Sequence, residues 1–309
     1  MINALTIDLE DYFHIPAEFN WVRPEEGEKY VSRVERNTYR ILDLLNNTGC
    51  QGNGDLATPI KATFFCFGWI AQKLPRLIRA IQEQGHEIAS LGYRHHLIYV
   101  LSKKEFKKDI LKAKMVLEDL TGEEIIGYRA PGYSITQKSL WALMELAREG
   151  FKYDSSIYPA YHSSSGFQEA PRFPFWVSLN EDSSFQFSEL KEGSDFCLTL
   201  ETLRLKGASF HRQGIIEFPL STIQLAYYNI PISDGGHFHR IPYFIFRQGL
   251  KKINNRDHRP FIFYLHPWEL GSDYPGKIEK REDRLKTLFR EFSFSSIQNI
   301  LGLNNALPA

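Results

Sequence analysis

The sequence predicts an α/β fold built on parallel strands, and three observations carry that expectation. Short apolar runs alternate with stretches of helical spacing along most of the chain. Some runs, such as Ala62–Phe67, are apolar without alternation, as strands covered on both faces are. Asp8, His95, Arg129, Asp154 and His266 each stand at or just beyond the C-terminal end of an apolar run. In a parallel barrel those ends gather on one face, where catalytic groups collect.

Leu5-Thr6-Ile7 reads as the first strand and stops at an acidic cluster. Val34 to Leu45 has helical spacing, and Asn46, Asn47 and Gly49 end it. Gln51–Pro59 is polar and Gly-containing, a local insertion. Ala62–Phe67 is the second strand. Pro75 suits a helix start, with Leu77, Ile78 and Ile81 on one face and Gly85 as the stop. Glu87–Ser90 is the next strand. Ser102-Lys103-Lys104-Glu105 has capping-box spacing and opens a helix with Phe106, Ile110, Ala113, Leu117 and Leu120 on one stripe. Thr136 caps a further helix that ends before Gly150, and Phe261–Leu265 is a buried strand ending at His266. Residues 159–212 lack clear periodicity and read as a loop-rich insertion with irregular strand.

At 309 residues the chain is read as one domain, 1–309, large enough to bury its apolar surface without staples. Thirty-seven basic side chains balance thirty-seven acidic ones, which argues against electrostatic capture of nucleic acid. Cys50, Cys66 and Cys197 have no pair or metal-ligand spacing and read as reduced thiols. Neither a signal peptide nor a run of eighteen apolar residues is seen, so a cytoplasmic protein without a membrane span is expected.

The strand-end residues define the chemistry. Asp8, Glu10 and Asp11 crowd three carboxylates into four residues, and a cation among them would relieve their repulsion. Asp8 and Glu10 share a face if the strand continues, which favours Glu10 as a metal ligand, and Asp11 is the alternative if it has ended. One carboxylate left uncoordinated could serve as general base. His95 is a candidate metal ligand. Arg129 can orient a carboxylate, and the Pro131-Gly132 turn can offer backbone N–H groups to an oxyanion. Asp154 could partner Arg129 or a histidine. His266 suits a general acid, and Trp268 could stack on a sugar ring.

Thr6-Ile7-Asp8-Leu9-Glu10-Asp11-Tyr12-Phe13, Tyr128-Arg129-Ala130-Pro131, Asp154-Ser155-Ser156 and His266-Pro267-Trp268-Glu269-Leu270, with His95 between them, resemble the NodB-homology polysaccharide deacetylases (carbohydrate esterase family four) from Leu5 to about Leu270. They look especially like the subgroup of bacterial exopolysaccharide loci. The resemblance implies a deformed (β/α) barrel of about seven parallel strands and metal-dependent removal of N-acetyl groups from a glycan substrate. It implies Asp8 as base, Glu10 or Asp11 with His95 as ligands to a divalent metal such as zinc, and Gly132 or Tyr133 backbone N–H groups for the oxyanion. It further implies Arg129 and Asp154 as orienting residues and His266 as the acid for the leaving amine. Two departures stand out. The acidic motif is Asp-Leu-Glu-Asp rather than one with adjacent aspartates, and Leu91 occupies the place of a second histidine ligand. A glycan-binding or assembly protein without catalysis, and a hydrolase of a small or cyclic amide, are the alternatives on the same scaffold.

Overall fold

Among the described residues seven parallel strands frame the protein, in the sheet order Ile262–Leu265, Ile2–Leu9, Thr63–Cys66, Glu87–Ser90, Gly127–Tyr128, Tyr153–Asp154 and Gly214–Glu217. The computed structural model describes residues 1–10, 24–48, 59–161, 166–180, 184–190, 214–272 and 274–303. In chain order the strands are β1 (Ile2–Leu9), β2 (Thr63–Cys66), β3 (Glu87–Ser90), β4 (Gly127–Tyr128), β5 (Tyr153–Asp154), β6 (Phe175–Leu179), β7 (Phe185–Glu189), β8 (Gly214–Glu217), β9 (Thr222–Leu225), β10 (Tyr228–Pro231), β11 (Ile262–Leu265) and β12 (Ser293–Ser295). β1 is buried from Asn3 onward on both faces, as its near-continuous apolar sequence requires. Between β8 and β11 the ladder is irregular. The Ser221 hydroxyl accepts from Ile262 N at 2.8 Å, and the Ser233 carbonyl accepts from Tyr264 N at 2.8 Å. These links span the gap and give the deformed barrel that the sequence led us to expect.

The local signals hold where they are strongest. α1 (Pro24–Asn47) contains the expected 34–45 helix, and α2 (Gly68–Lys73) and α3 (Pro75–Glu83) follow β2. Gly85, just past α3, has φ +75°, a left-handed stop. α4 (Lys103–Thr121) carries a complete capping box: Ser102 Oγ accepts from Glu105 N, and Glu105 Oε2 accepts from Ser102 N at 2.9 Å. α5 (Trp141–Arg148) follows a short turn capped by Thr136. The segment read as a loop-rich insertion is more ordered than its sequence suggested. β6 and β7 form an antiparallel hairpin there, and β6 adds antiparallel to β8, so the sheet is mixed at that edge. The expected insertion at Gln51–Pro59 falls, but for Pro59, outside the described residues.

The N-terminal end of the barrel is closed by a polar plug. Glu87, on β3 beside Thr63 of β2, is 4% exposed. Its carboxylate accepts from Thr63 Oγ1 at 2.5 Å, Tyr153 Oη at 2.7 Å and Gln298 N at 3.1 Å. Thr63 Oγ1 in turn accepts from Ile297 N at 2.8 Å, which docks the C-terminal helix Ile297–Ile300. Burial outweighs these hydrogen bonds and raises the Glu87 carboxyl to about 7. The neighbouring His86 goes the other way: burial and Lys61 lower it to about 4.

The signs follow from linkage. A carboxyl whose folded pKa is raised contributes stability below its unfolded value, and that stability is lost as pH rises toward 7. A histidine whose folded pKa is lowered contributes stability that is lost as pH falls below its unfolded value toward 4. The two trends oppose each other in the parent. A Glu87→Gln variant keeps an acceptor for Thr63 and Gln298 and removes only the carboxylate trend. Thermal unfolding of both proteins should therefore show a difference in Tm, in favour of Glu87→Gln, that grows from pH 5 to pH 7; a constant difference would show that Glu87 does not titrate in that window.

Candidate active site

Near the C-terminal end of β1, alternation places Thr6 and Asp8 on one face, and the strand ends at Leu9, where Glu10 N donates to the Asp8 carbonyl at 2.8 Å in a tight turn that carries Glu10 past the strand. Arg129, just past β4, is fully buried and reaches across the barrel to them. Its Nη1 donates to Asp8 Oδ1 at 2.6 Å and to Thr6 Oγ1 at 2.8 Å, Nη2 donates to Ser155 Oγ at 2.8 Å, and Nε donates to the Ser155 carbonyl at 3.0 Å. The Phe65 ring lies 4.1 Å from the guanidinium carbon, a cation–π contact from the residue in register with Asp8. Burial disfavours the guanidinium charge, but Asp8 more than offsets it and the group is held more basic than usual.

Glu10 forms the second centre. Its Oε1 lies 3.3 Å from His266 Nε2, and its Oε2 lies 3.6 Å from His95 Nε2. The opposite ring nitrogen, His266 Nδ1, is 2.9 Å from Glu269 Oε1, which also accepts from His266 N at 3.0 Å. Burial disfavours the imidazolium, yet hydrogen bonds to Glu10 and Glu269 outweigh it and push His266 up to about 10. His266 is therefore a charged acid at neutral pH. Trp268 stacks on the His266 ring with centroids 4.8 Å apart, so this ring face is already taken.

Sequence reasoning missed two residues. Glu269 is one; its signal was present, since an acid three residues after His266, with Pro267 between, has the form of a cap. The Tyr133 hydroxyl is the other. It donates to Asp8 Oδ2 at 3.0 Å, so both carboxylate oxygens are held. The Tyr133 backbone N–H, expected to serve an oxyanion, already donates to the Ala130 carbonyl at 3.0 Å. That leaves Gly132 of the pair, at φ +59°, with Tyr133 itself at +54°. Asp154 also differs from expectation. It accepts from Ser156 N at 3.0 Å and Ser156 Oγ at 2.7 Å, and Ser156 Oγ accepts from Ala130 N at 2.7 Å. Burial and the Asp154 charge push Glu217 of β8 well up, so this carboxyl pair retains a proton. Asp154 thus braces the loop that presents Arg129 and Gly132, and its hydrogen bonds go to Ser156 rather than to Arg129 or His266. Asp11 lies outside the described residues.

A polysaccharide deacetylase family profile matches residues 34–150. By this match residues 34–150 correspond to a polysaccharide deacetylase domain. A second profile, a domain of unknown function (DUF3473), matches residues 201–302. A peptidoglycan deacetylase-like protein of Gibberella zeae is 37% identical over 133 residues, covering 41% of this chain and 36% of that one. A peptidoglycan deacetylase of Helicobacter pylori is 30% identical over 98 residues, covering 32% of each. The matches span about a third of the length of these curated relatives. The fold is shared with a Mycobacterium smegmatis chain assigned to the polysaccharide deacetylases, at a TM-score of 0.58 and 17% identity over 97% of this chain and 86% of that one. An allantoinase matches at a TM-score of 0.57 and 17% identity over 96% of this chain and 87% of that one.

A deacetylase domain of this kind is expected to hold a divalent metal, and a catalytic zinc ion takes three protein ligands and an open position. The described residues supply two suitable donors, Glu10 and His95. Leu91, the position to which the sequence resemblance assigns a further ligand, is 2% exposed and joins the hydrophobic core, with its backbone N donating to the Cys66 carbonyl at 3.0 Å. No cluster of three His, Cys, Asp or Glu among the described residues could hold a metal. The described donor set is one ligand short.

The Arg129–Asp8 pair gives the deacetylase domain a stability test. Breaking a buried ion pair by removing one partner typically costs about 3–5 kcal/mol, because the remaining charge is left uncompensated. Arg129→Leu should lose about that much in urea unfolding, and a loss under ~1 kcal/mol would show that the pair does not anchor the fold.

Proposed function

We propose that this chain acts on N-acetylated amino sugars of a bacterial glycan as an N-deacetylase, with turnover held low by Leu91. The observation that supports this best is the pair of tethered groups at the C-terminal ends of the neighbouring strands β1 and β11: Asp8, fixed by Arg129 and Tyr133, and His266, fixed by Glu269. In this reading Asp8 accepts the proton of the attacking water, and the Gly132 backbone N–H faces the oxyanion. His266 then gives the proton on Nε2 to the departing amine, as a positioned acid does. The relatives named as peptidoglycan deacetylases favour a peptidoglycan-type substrate.

A second reading is a glycan-binding protein without catalysis. Leu91 favours it, because an apolar side chain sealed into the core adds nothing to a metal site.

Acetate release from an N-acetylglucosamine oligomer, measured together with bound zinc, separates the two. The parent should bind zinc weakly and release acetate slowly. Leu91→His should raise both by at least about tenfold, since even partners outside the ligand shell change affinity or activity 10- to 100-fold. Metal uptake without acetate release would support the binding reading, and ordinary turnover by the parent without metal would overturn the mechanism.

A further inference from the structure

His266 needs a partner that fixes its ring, and two acidic residues compete for that role. Asp154 is fully buried but is spent on Ser156 and Glu217. Glu269 contacts His266 directly, through both Nδ1 and the backbone N–H. It is 1% exposed, and its second oxygen lies 3.5 Å from His239 Nε2, an imidazole that is itself 8% exposed at the side chain. His239 sits on the helix Gly235–Arg240, and its ring packs against Tyr274, which also packs against Trp268. The same helix begins with Gly235, where an added Cβ would stand 1.6 Å from Glu269 Oε2. Space for the carboxylate is thus built into the helix start, and a side chain there would force Glu269 off His266.

We propose that Glu269, rather than Asp154, is the positioning residue for His266, and that His239 holds Glu269 in turn. The relay runs Glu10–His266–Glu269–His239. It fixes the ring with Nδ1–H on Glu269 and Nε2 aimed at Glu10. Three of its members, His239, His266 and Glu269, lie in the 201–302 segment, so the C-terminal part of the chain supplies the acid side of the site. The proposal rests on the reading of His266 as the acid, but its geometric core can be tested without turnover.

The experiment uses the full chain labelled with 15N-histidine, in the parent and in Glu269→Gln, Glu269→Ala, His239→Gln and Asp154→Asn. The His266 Nδ1–H should be protected from exchange and deshielded by its anionic acceptor. Glu269→Gln should move that resonance, Glu269→Ala should abolish it, and Asp154→Asn should leave it in place. If Glu269→Ala does not fold, the Glu269→Gln and Asp154→Asn pair still decides. In the Leu91→His background, Glu269→Gln should lower kcat about tenfold or more with KM little changed, and His239→Gln should lower it less. A resonance that moves in Asp154→Asn and not in Glu269→Gln overturns the proposal. Absence of acetate release from every variant, with the resonance pattern as expected, would retire the deacetylase reading and leave the positioning role standing.

Discussion

The buried contact between Arg129 and Asp8 is the constraint on which the rest of the site is arranged. A guanidinium with no solvent access must satisfy its donors inside the protein, and each partner comes from a different place in the chain: Thr6 and Asp8 from β1, Ser155 from beyond β5, and the Phe65 face from β2. The barrel supplies these partners only when β1, β2, β4 and β5 are in register. The charge therefore reports correct assembly of four strands, and the assembly in turn fixes Asp8 in one orientation. Tyr133 completes the cage from a left-handed backbone conformation that a non-glycine residue adopts only when its surroundings demand it.

Glu10 joins this rigid centre to the histidine side. It stands two residues after Asp8, just past the end of β1, and its two oxygens approach His95 and His266 from opposite strands of the barrel. Glu10 and Glu269 favour the His266 imidazolium, which sets a positive charge beside the Glu10 carboxylate. That pairing suits the described donor set, in which Leu91 gives nothing to a cation and adds an apolar contact to the core.

How much of this could be read from the residues depends on the range of the interaction. The Ser102–Glu105 capping box and the Gly85 stop were legible because their partners lie within three or four residues. The parallel frame was legible because burial on both faces leaves a near-continuous apolar run. The β6–β7 hairpin was not, since the alternating Phe185-Gln186-Phe187 piece is short and set in a Ser-rich polar stretch, and the pairing of β6 with β8 spans residues 175 to 217. At the site, the residues at strand ends were found and their partners were not. The Asp154–Ser156 hydrogen bonds are local, an Asp turning back on the residue two positions on, but the partner Glu217 comes from a strand some sixty residues later and leaves no mark in Asp154-Ser155-Ser156. Glu269 was closer at hand, but a His-Pro-Trp-Glu run reads as an aromatic loop until the cap geometry is seen.

The two halves of the site respond differently to loss of catalysis, and this bears on what its residues can testify to. Arg129 and Asp8 cannot be lost singly without stranding a buried charge, so stability alone would keep them in a protein that had ceased to turn over. Leu91, by contrast, is an apolar side chain packed into the core, as the fold alone would favour. Intact Asp8 and Arg129 are therefore weak testimony for activity, although they are the most recognisable part of the sequence. The arrangement around His266 is stronger testimony. Buried Glu269, the nearby His239 and Gly235, whose lack of a side chain leaves room for the carboxylate, together turn the other ring nitrogen toward Glu10.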